Sequence, residues 1–255
     1  MRIASWNVNG IRAVERKEQF YPALMELRAD VLLLQETKAR EEQLPETIRS
    51  VPSYHAFFAH HKHKGGYSGT AIYTKEKPRK VTYGMEIERF DCEGRIVTAF
   101  YSNLIVSCIY FPNGGQGPQR LQYKLEFYEA FLEYIEELRK QNPVVWGGDV
   151  NTAHEDIDLA RPRENQENTG FLPEERAWLD EVEALGWVDT YRHFYPDKAG
   201  AYSYWDMKTR ARDRNVGWRI DYLFASPDLL PRIKTAAIHP NILGSDHCPV
   251  SADLK

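Results

Sequence analysis

Residues 95–111 read Arg95-Ile96-Val97-Thr98-Ala99-Phe100-Tyr101-Ser102-Asn103-Leu104-Ile105-Val106-Ser107-Cys108-Ile109-Tyr110-Phe111. Two strand-type runs, Arg95–Tyr101 and Leu104–Phe111, follow one another here with no helix between them. A helix is expected next, from about Arg120 to Lys140. Leu121, Leu125, Tyr128, Leu132, Ile135 and Leu138 recur at spacings of three and four and make one apolar stripe, and Gln141-Asn142-Pro143 ends it. Val144-Val145-Trp146 is then a short strand that stops at Gly147-Gly148-Asp149. A purely doubly wound sheet would place a helix between successive strands. Strands that follow each other directly require antiparallel hairpins, so the pattern is mixed α/β.

The same alternation extends both ways. Ile3–Val8 reads as a strand, Phe20–Arg28 as a helix, and Val31–Leu34 as a buried-type run that stops at Gln35-Glu36. Gly69–Thr74 is another strand. A second amphipathic helix starts at Pro173, with Glu174 and Glu175 near its positive end. Arg219–Ala225 and Val250–Leu254 are late strands. No composition shift or low-complexity tract marks a linker, and no internal repeat stands out. A single domain over residues 1–255 is expected, with a sizeable core.

Hydrophobic residues make up 42% of the 255 and the formal net charge is −4. The first figure argues against disorder. The second argues against a protein that coats nucleic acid by bulk positive charge, though not against one basic face beside an acidic site. Cys92, Cys108 and Cys248 are odd in number and form no CxxC, so reduced thiols and a cytoplasmic setting are expected. The N-terminal MRIASWNVNG lacks the apolar core of a signal peptide, and no run of about 18 apolar residues exists, so no membrane partner is expected.

One feature repeats: strands end in acidic or amide residues. Asn7 and Asn9 follow the first strand, Glu36 the second, and Asn113 follows Leu104–Phe111. Asp149 and Asn151 follow Val144–Trp146, Asp221 sits in Trp218-Arg219-Ile220-Asp221-Tyr222, and Asp246-His247 precedes the last strand. Taken singly, each is an ordinary turn residue. Taken together, strand ends that converge on one edge give a cluster of hard oxygen donors suited to Mg²⁺ and not to zinc. No nucleophilic serine or cysteine motif accompanies it, which points to an activated water at a phosphate.

The segments Trp6–Gly10, Leu34–Lys38, Tyr110–Asn113, Gly148–Asn151, Asn215–Tyr222 and Gly244–Pro249 resemble, in order and from end to end, the motifs of the exonuclease III / abasic-site endonuclease family. Ala153–Leu159 and Gly170–Arg176 match as well. The resemblance implies an α+β fold of the DNase I-like kind, a four-layer α/β/β/α sandwich of two packed mixed sheets. It implies incision 5′ to abasic sites in double-stranded DNA, leaving a 3′-hydroxyl, with action at 3′ ends besides. Mg²⁺ is the implied cofactor, with Mn²⁺ able to substitute, and a monomer is expected.

The resemblance also assigns roles. Asn7, Glu36 and Asp246 are metal residues. Asp149, held by Asn151, orients or deprotonates the water. His247 faces the phosphate, with Asp221 on its other ring nitrogen. Tyr110 and Asn113 hold phosphate oxygens. Tyr67, Arg95, Asn165 and Asn168 resemble family DNA-contact positions, while Lys38 and Arg12 are read as backbone-phosphate contacts from their place just after motif strands. Tyr204, Trp218 and Ile220 wall the pocket for the flipped baseless sugar. Tyr204 stands where Phe or Trp is more usual, and Gln116 where some relatives carry Arg. His60, His61 and His63, with Lys62 and Lys64, read as an exposed basic loop in preference to a transition-metal site. Two other readings remain open: a phosphodiesterase acting on an inositol phosphate or sphingolipid headgroup, and a non-catalytic DNA-binding scaffold.

Overall fold

The computed structural model describes residues 1–255. Twelve strands form two six-stranded sheets. They are β1 (Arg2–Asn7), β2 (Val31–Gln35), β3 (His55–Ala59), β4 (Thr70–Thr74), β5 (Lys80–Tyr83), β6 (Ile96–Phe100), β7 (Ile105–Tyr110), β8 (Val144–Asp149), β9 (Val188–Asp189), β10 (Asp221–Ala225), β11 (Ile233–Ile238) and β12 (Val250–Leu254). The first sheet runs β11-β12-β1-β2-β4-β3 and the second β5-β6-β7-β8-β10-β9.

Each sheet contains one parallel pair, β1 with β2 and β7 with β8; every other pairing is antiparallel. Parallel neighbours need a crossover, and helices supply both. Ile11–Arg16 and Phe20–Leu27 connect the first pair, and Pro118–Arg139 the second. The long helix starts two residues ahead of the expected Arg120, because Pro118 suits its first turn.

Burial sorts the molecule into four layers. Ile3, Val31, Leu33 and Ile72 of the first sheet pack against Val97, Val106, Val145 and Leu223 of the second. On the outer face of the first sheet, Trp6, Leu32, Leu34 and Tyr73 pack against Phe20, Leu24 and Leu27. On the outer face of the second, Trp146 and Phe224 stack at 4.5 Å beneath the long helix and helix Pro173–Ala184. The central strands are therefore covered on both faces. That is why Val31–Leu34 is apolar throughout instead of alternating. The order α/β/β/α is the expected one.

Strands β3, β5, β9 and β11 were not anticipated. All four lie at a sheet edge with partly exposed residues, so their apolar signal is diluted. β10 begins at Asp221 and not Arg219, because the Arg219 amide is drawn out of the ladder to donate to the Asp158 carbonyl. No helix is long and apolar enough to cross a membrane.

Candidate active site

The carboxyl ends of both parallel pairs point to one edge of the sandwich, where β10 and β12 begin. Tyr110 pairs with Asp149, and Asp149 with Asp221. Close approach of β7 and β8 depends on Gly148: a Cβ there would lie 1.7 Å from the Ile109 carbonyl oxygen. Past these ends the backbone turns sharply. Asn9, Glu36, Lys38 and Asn151 all have positive φ, between 42° and 56°. Non-glycine residues hold that conformation only where surrounding bonds enforce it.

Those bonds build the site. Asn7 is fully buried. Its Nδ2 donates to Glu36 Oε1 at 2.9 Å and to Asp149 Oδ2 at 2.7 Å, so one amide joins a carboxylate of each sheet. Its Oδ1 accepts from the Asn9 amide at 2.9 Å. The Lys38 ammonium pairs with Glu36 Oε2 at 2.8 Å and donates to Asn9 Oδ1. Asn9 Nδ2 in turn donates to both oxygens of Asp246 at 3.0 Å. Glu36 and Asp246 therefore face one cleft through a continuous chain of contacts. Asp149 Oδ1 accepts from the Asn151 amide at 2.8 Å, and Asn151 Oδ1 accepts from Asn113 at 3.2 Å.

His247 closes the far side. Its Nδ1 bonds Asp221 Oδ2 at 2.8 Å, and its Nε2 stands 3.9 Å from Asp149 Oδ2. Ser203 Oγ accepts from the amides of Ile220 and Asp221, which fixes the start of β10. Tyr204 leans on the imidazole at 4.8 Å.

Burial dominates the electrostatics. It opposes charge on His247, but Asp221 outweighs it and lifts the imidazole to about 10, so both ring nitrogens carry protons. Burial pushes the Asp149 carboxyl up to about 7; His247 opposes the rise, while Asp221 and Glu36 add to it. Burial also works against Glu36, but Lys38 and Asn7 overcome it and hold the carboxyl low. Burial, with Glu36 nearby, keeps the Tyr110 hydroxyl protonated.

Carboxylate oxygens of Glu36 and Asp149 and a ring nitrogen of His247 lie within 4.8 Å of one another; the two oxygens are the metal donors of the three, since the nitrogen carries a proton. The cleft around them has a volume of about 630 Å³. Asn9, Lys38, Tyr67, Asn113, Gln116 and Arg120 line it, and Tyr204, Trp218 and Ile220 form its apolar wall over Phe171 and Leu159. The donors facing this space are carboxylate and amide oxygens, and Lys38 neutralises only part of their charge. A hard divalent cation fits that donor set.

Several expected contacts sit elsewhere. Arg95 lines the cleft but is only 2% exposed. Its guanidinium is taken up by Glu93, the Tyr110 carbonyl and the Tyr67 hydroxyl, so it serves as a strut and not as a free phosphate ligand. Arg12 reaches back to the Lys38 carbonyl, outside the lining. Asn165 and Asn168 bond each other on an exposed turn, also outside it. His61 accepts from the amides of His63 and Lys64 and packs against Tyr67, so the histidine loop braces the cleft rim. Sequence reasoning missed Glu93 and Arg120. Glu93 binds both Arg95 and Arg120, and Arg120 donates to Tyr67 at 2.7 Å. No local pattern marks either residue. Asn9 was visible as a strand-end amide, but its role as the bridge from Lys38 to Asp246 was not.

A profile described as the Endonuclease/Exonuclease/phosphatase family matches residues 4–247. The chain is 45% identical over 253 residues to an exodeoxyribonuclease of Bacillus subtilis, covering 98% of each. It is similar to the structure of an AP endonuclease from Archaeoglobus fulgidus at TM-score 0.89 and 31% identity, covering 100% of this chain and 99% of that one. It is also similar to the Neisseria 3′ phosphatase NExo bound to product DNA hairpin, at TM-score 0.91 and 27% identity, covering 100% of this chain and 99% of that one.

Proposed function

The chain belongs to the endonuclease/exonuclease/phosphatase family, and from that membership and the cleft's geometry we propose that it is a DNA-repair phosphodiesterase that incises duplex DNA 5′ to abasic sites. Incision leaves a 3′-hydroxyl. Trimming and cleaning of 3′ ends use the same chemistry, and proteins similar to this chain include an exodeoxyribonuclease and a 3′ phosphatase.

The observation that carries the reading is the pair of hydrogen bonds that Asn7 donates to Glu36 and Asp149, with the Asp221–His247 couple 3.9 Å from the same Asp149 oxygen. Asp149 is held where it takes a proton from the attacking water, and Asn151 fixes its orientation. His247 donates from Nε2 to a phosphate oxygen, while Asp221 keeps the other ring proton in place. Asn113 and the Tyr110 hydroxyl hold further phosphate oxygens. Water adds to phosphorus, its proton passes to Asp149, and the P–O3′ bond breaks. Glu36, with Asp246 and the carboxamide of Asn7 beside it, holds a divalent cation, for which we propose Mg²⁺. When bound, the cation neutralises charge on the phosphate and the leaving oxygen. Lys38, Tyr67 and Arg120 receive the backbone, and Tyr204, Trp218 and Ile220 admit a sugar without a base.

The test is turnover with Mg²⁺ on a duplex carrying an abasic analogue, beside a recessed 3′ end, a 3′-phosphate and a phosphoinositide. Abasic incision should dominate, and Asp149→Asn should lower it by about 10²- to 10⁴-fold. Preferential hydrolysis of the phosphoinositide, or near-wild-type incision by Asp149→Asn, would overturn the reading.

A further inference from the structure

An ion pair with no assigned part in this chemistry lies behind the cleft. Lys124, on helix Pro118–Arg139, meets Glu175, on helix Pro173–Ala184, at 2.6 Å with both side chains 0% exposed. Such a pair adds little net stability, because desolvation offsets attraction. Its other bonds are more informative. Lys124 Nζ donates to the Asn151 carbonyl at 2.8 Å and to Thr152 Oγ1 at 2.9 Å. Glu175 accepts from the Thr169 hydroxyl at 2.7 Å, the Gly170 amide at 2.5 Å and the Leu172 amide at 3.0 Å.

The cation thus grips the loop that follows β8, and the anion grips residues 169–172. The two segments press together. The Ala153 amide donates to the Gly170 carbonyl at 2.8 Å. A Cβ on Gly170 would lie 3.2 Å from the Asn151 carbonyl oxygen and 3.4 Å from the Trp218 ring. Thr169 and Gly170 line the cleft, and Phe171 stands edge-on to Trp218 at 6.5 Å.

We propose that Lys124 and Glu175 are positioning residues that fix the gap between the Asp149–Asn151 loop and the aromatic wall, and so set the preference for a baseless sugar over an ordinary nucleotide. This rests on the function proposed above. Asn151 is the left-handed residue whose amide aims the Asp149 carboxylate, and Lys124 holds that same residue's carbonyl. Without the cation, Asn151 loses one of the bonds that keep it left-handed. Without the anion, residues 169–172 lose three bonds and Phe171 no longer backs Trp218 firmly. A wall that gives way admits a base.

The experiment uses the full chain with Lys124→Met, Glu175→Gln and Lys124→Arg. It measures kcat and KM with Mg²⁺ on a duplex carrying a tetrahydrofuran abasic analogue, and on the same duplex with an ordinary nucleotide there. Melting temperatures are recorded alongside. In Lys124→Met and Glu175→Gln the abasic-to-ordinary ratio of kcat/KM should fall by about tenfold or more, as small misplacements near reacting groups do. The fall should come through kcat on the abasic duplex, and Lys124→Arg should keep most of the ratio. Glu175→Gln retains the side chain's size and one acceptor oxygen, so it carries the test if Lys124→Met does not fold. Variants that melt lower but keep the wild-type ratio would overturn the proposal. A wild-type enzyme with no preference for the abasic duplex would instead overturn the function on which it rests.

Discussion

Asp149 is a carboxylate placed where carboxylates resist ionising. It is 1% exposed, and burial, with Asp221 and Glu36 adding to it, lifts its carboxyl to about 7 against the pull of His247. A carboxyl whose folded pKa is raised costs stability progressively as pH climbs from its unfolded value of about 3.9 towards the folded one, and the full cost remains above it, because the buried charge lacks full compensation. A divalent cation that binds the ionised form removes this cost, and below about 7 it must first displace the proton. Mg²⁺ should therefore raise the melting temperature more at pH 8 than at pH 6, and Asp149→Asn should abolish the difference. Equal shifts at both pH values would show that Asp149 does not sense the cation. At this scale the strand-end residues were legible, because an acid or amide that ends an apolar run must lie at a sheet edge. Arg95 was not. Sequence places a guanidinium near a cleft but does not say whether Glu93 already occupies it.

Among the elements, one buried network of charges plays no part in the chemistry. Arg219, just before β10, is 1% exposed. Its guanidinium forks onto Asp158 at 2.6 and 3.1 Å and reaches Asp189 at 2.7 Å; Arg192 also binds Asp158. The network ties the loop after β8, the start of β10 and the helix Thr190–Phe194 that follows β9. Burial alone would raise the Asp158 carboxyl, but Arg219 and Arg192 outweigh it and hold it well below the usual carboxylate range. A depressed pKa stabilises the fold above the unfolded value of about 3.9, and that contribution is lost as pH falls through the folded one. Asp158→Asn should cost about 3–5 kcal/mol at pH 7, since it leaves buried guanidinium charge unpaired. The gap to wild type should narrow in acid; denaturant titrations at pH 7 and pH 3 measure both, and a constant gap would refute the linkage. Asp158 and Arg219 both fall in segments that resembled family motifs, yet their part is structural. Pattern reading finds such residues without telling a brace from a catalyst. It also finds strands that are covered on both faces, and misses edge strands such as β5, whose residues are half in solvent.

For the molecule as a whole, the order of layers was the least legible feature. A run such as Val31–Leu34 is apolar on both faces, so its pattern says that it is buried but not which face meets a helix and which meets the other sheet; that came from the family resemblance. The packing has a thermodynamic consequence. A cluster of 19 buried residues, most of them on strands of both sheets, forms the central layer, and the site alternates between sheets, with Asn7 and Glu36 from one and Asp149 and Asp221 from the other. Neither sheet can bury its inner face without its partner, so residues 1–255 should unfold as one unit. Unfolding enthalpy runs at about 0.7 kcal/mol per residue near 60 °C, which gives on the order of 180 kcal/mol for this chain. A single cooperative unit requires a van't Hoff enthalpy of that same size, whereas two independent halves would each show about half of it. Calorimetry of the purified protein decides between them. One transition with matching enthalpies fits a shared core, and two resolved transitions, or a van't Hoff value near about 90 kcal/mol, would mean that the sheets fold separately and that the bond from Asn7 to Asp149 forms only when they dock.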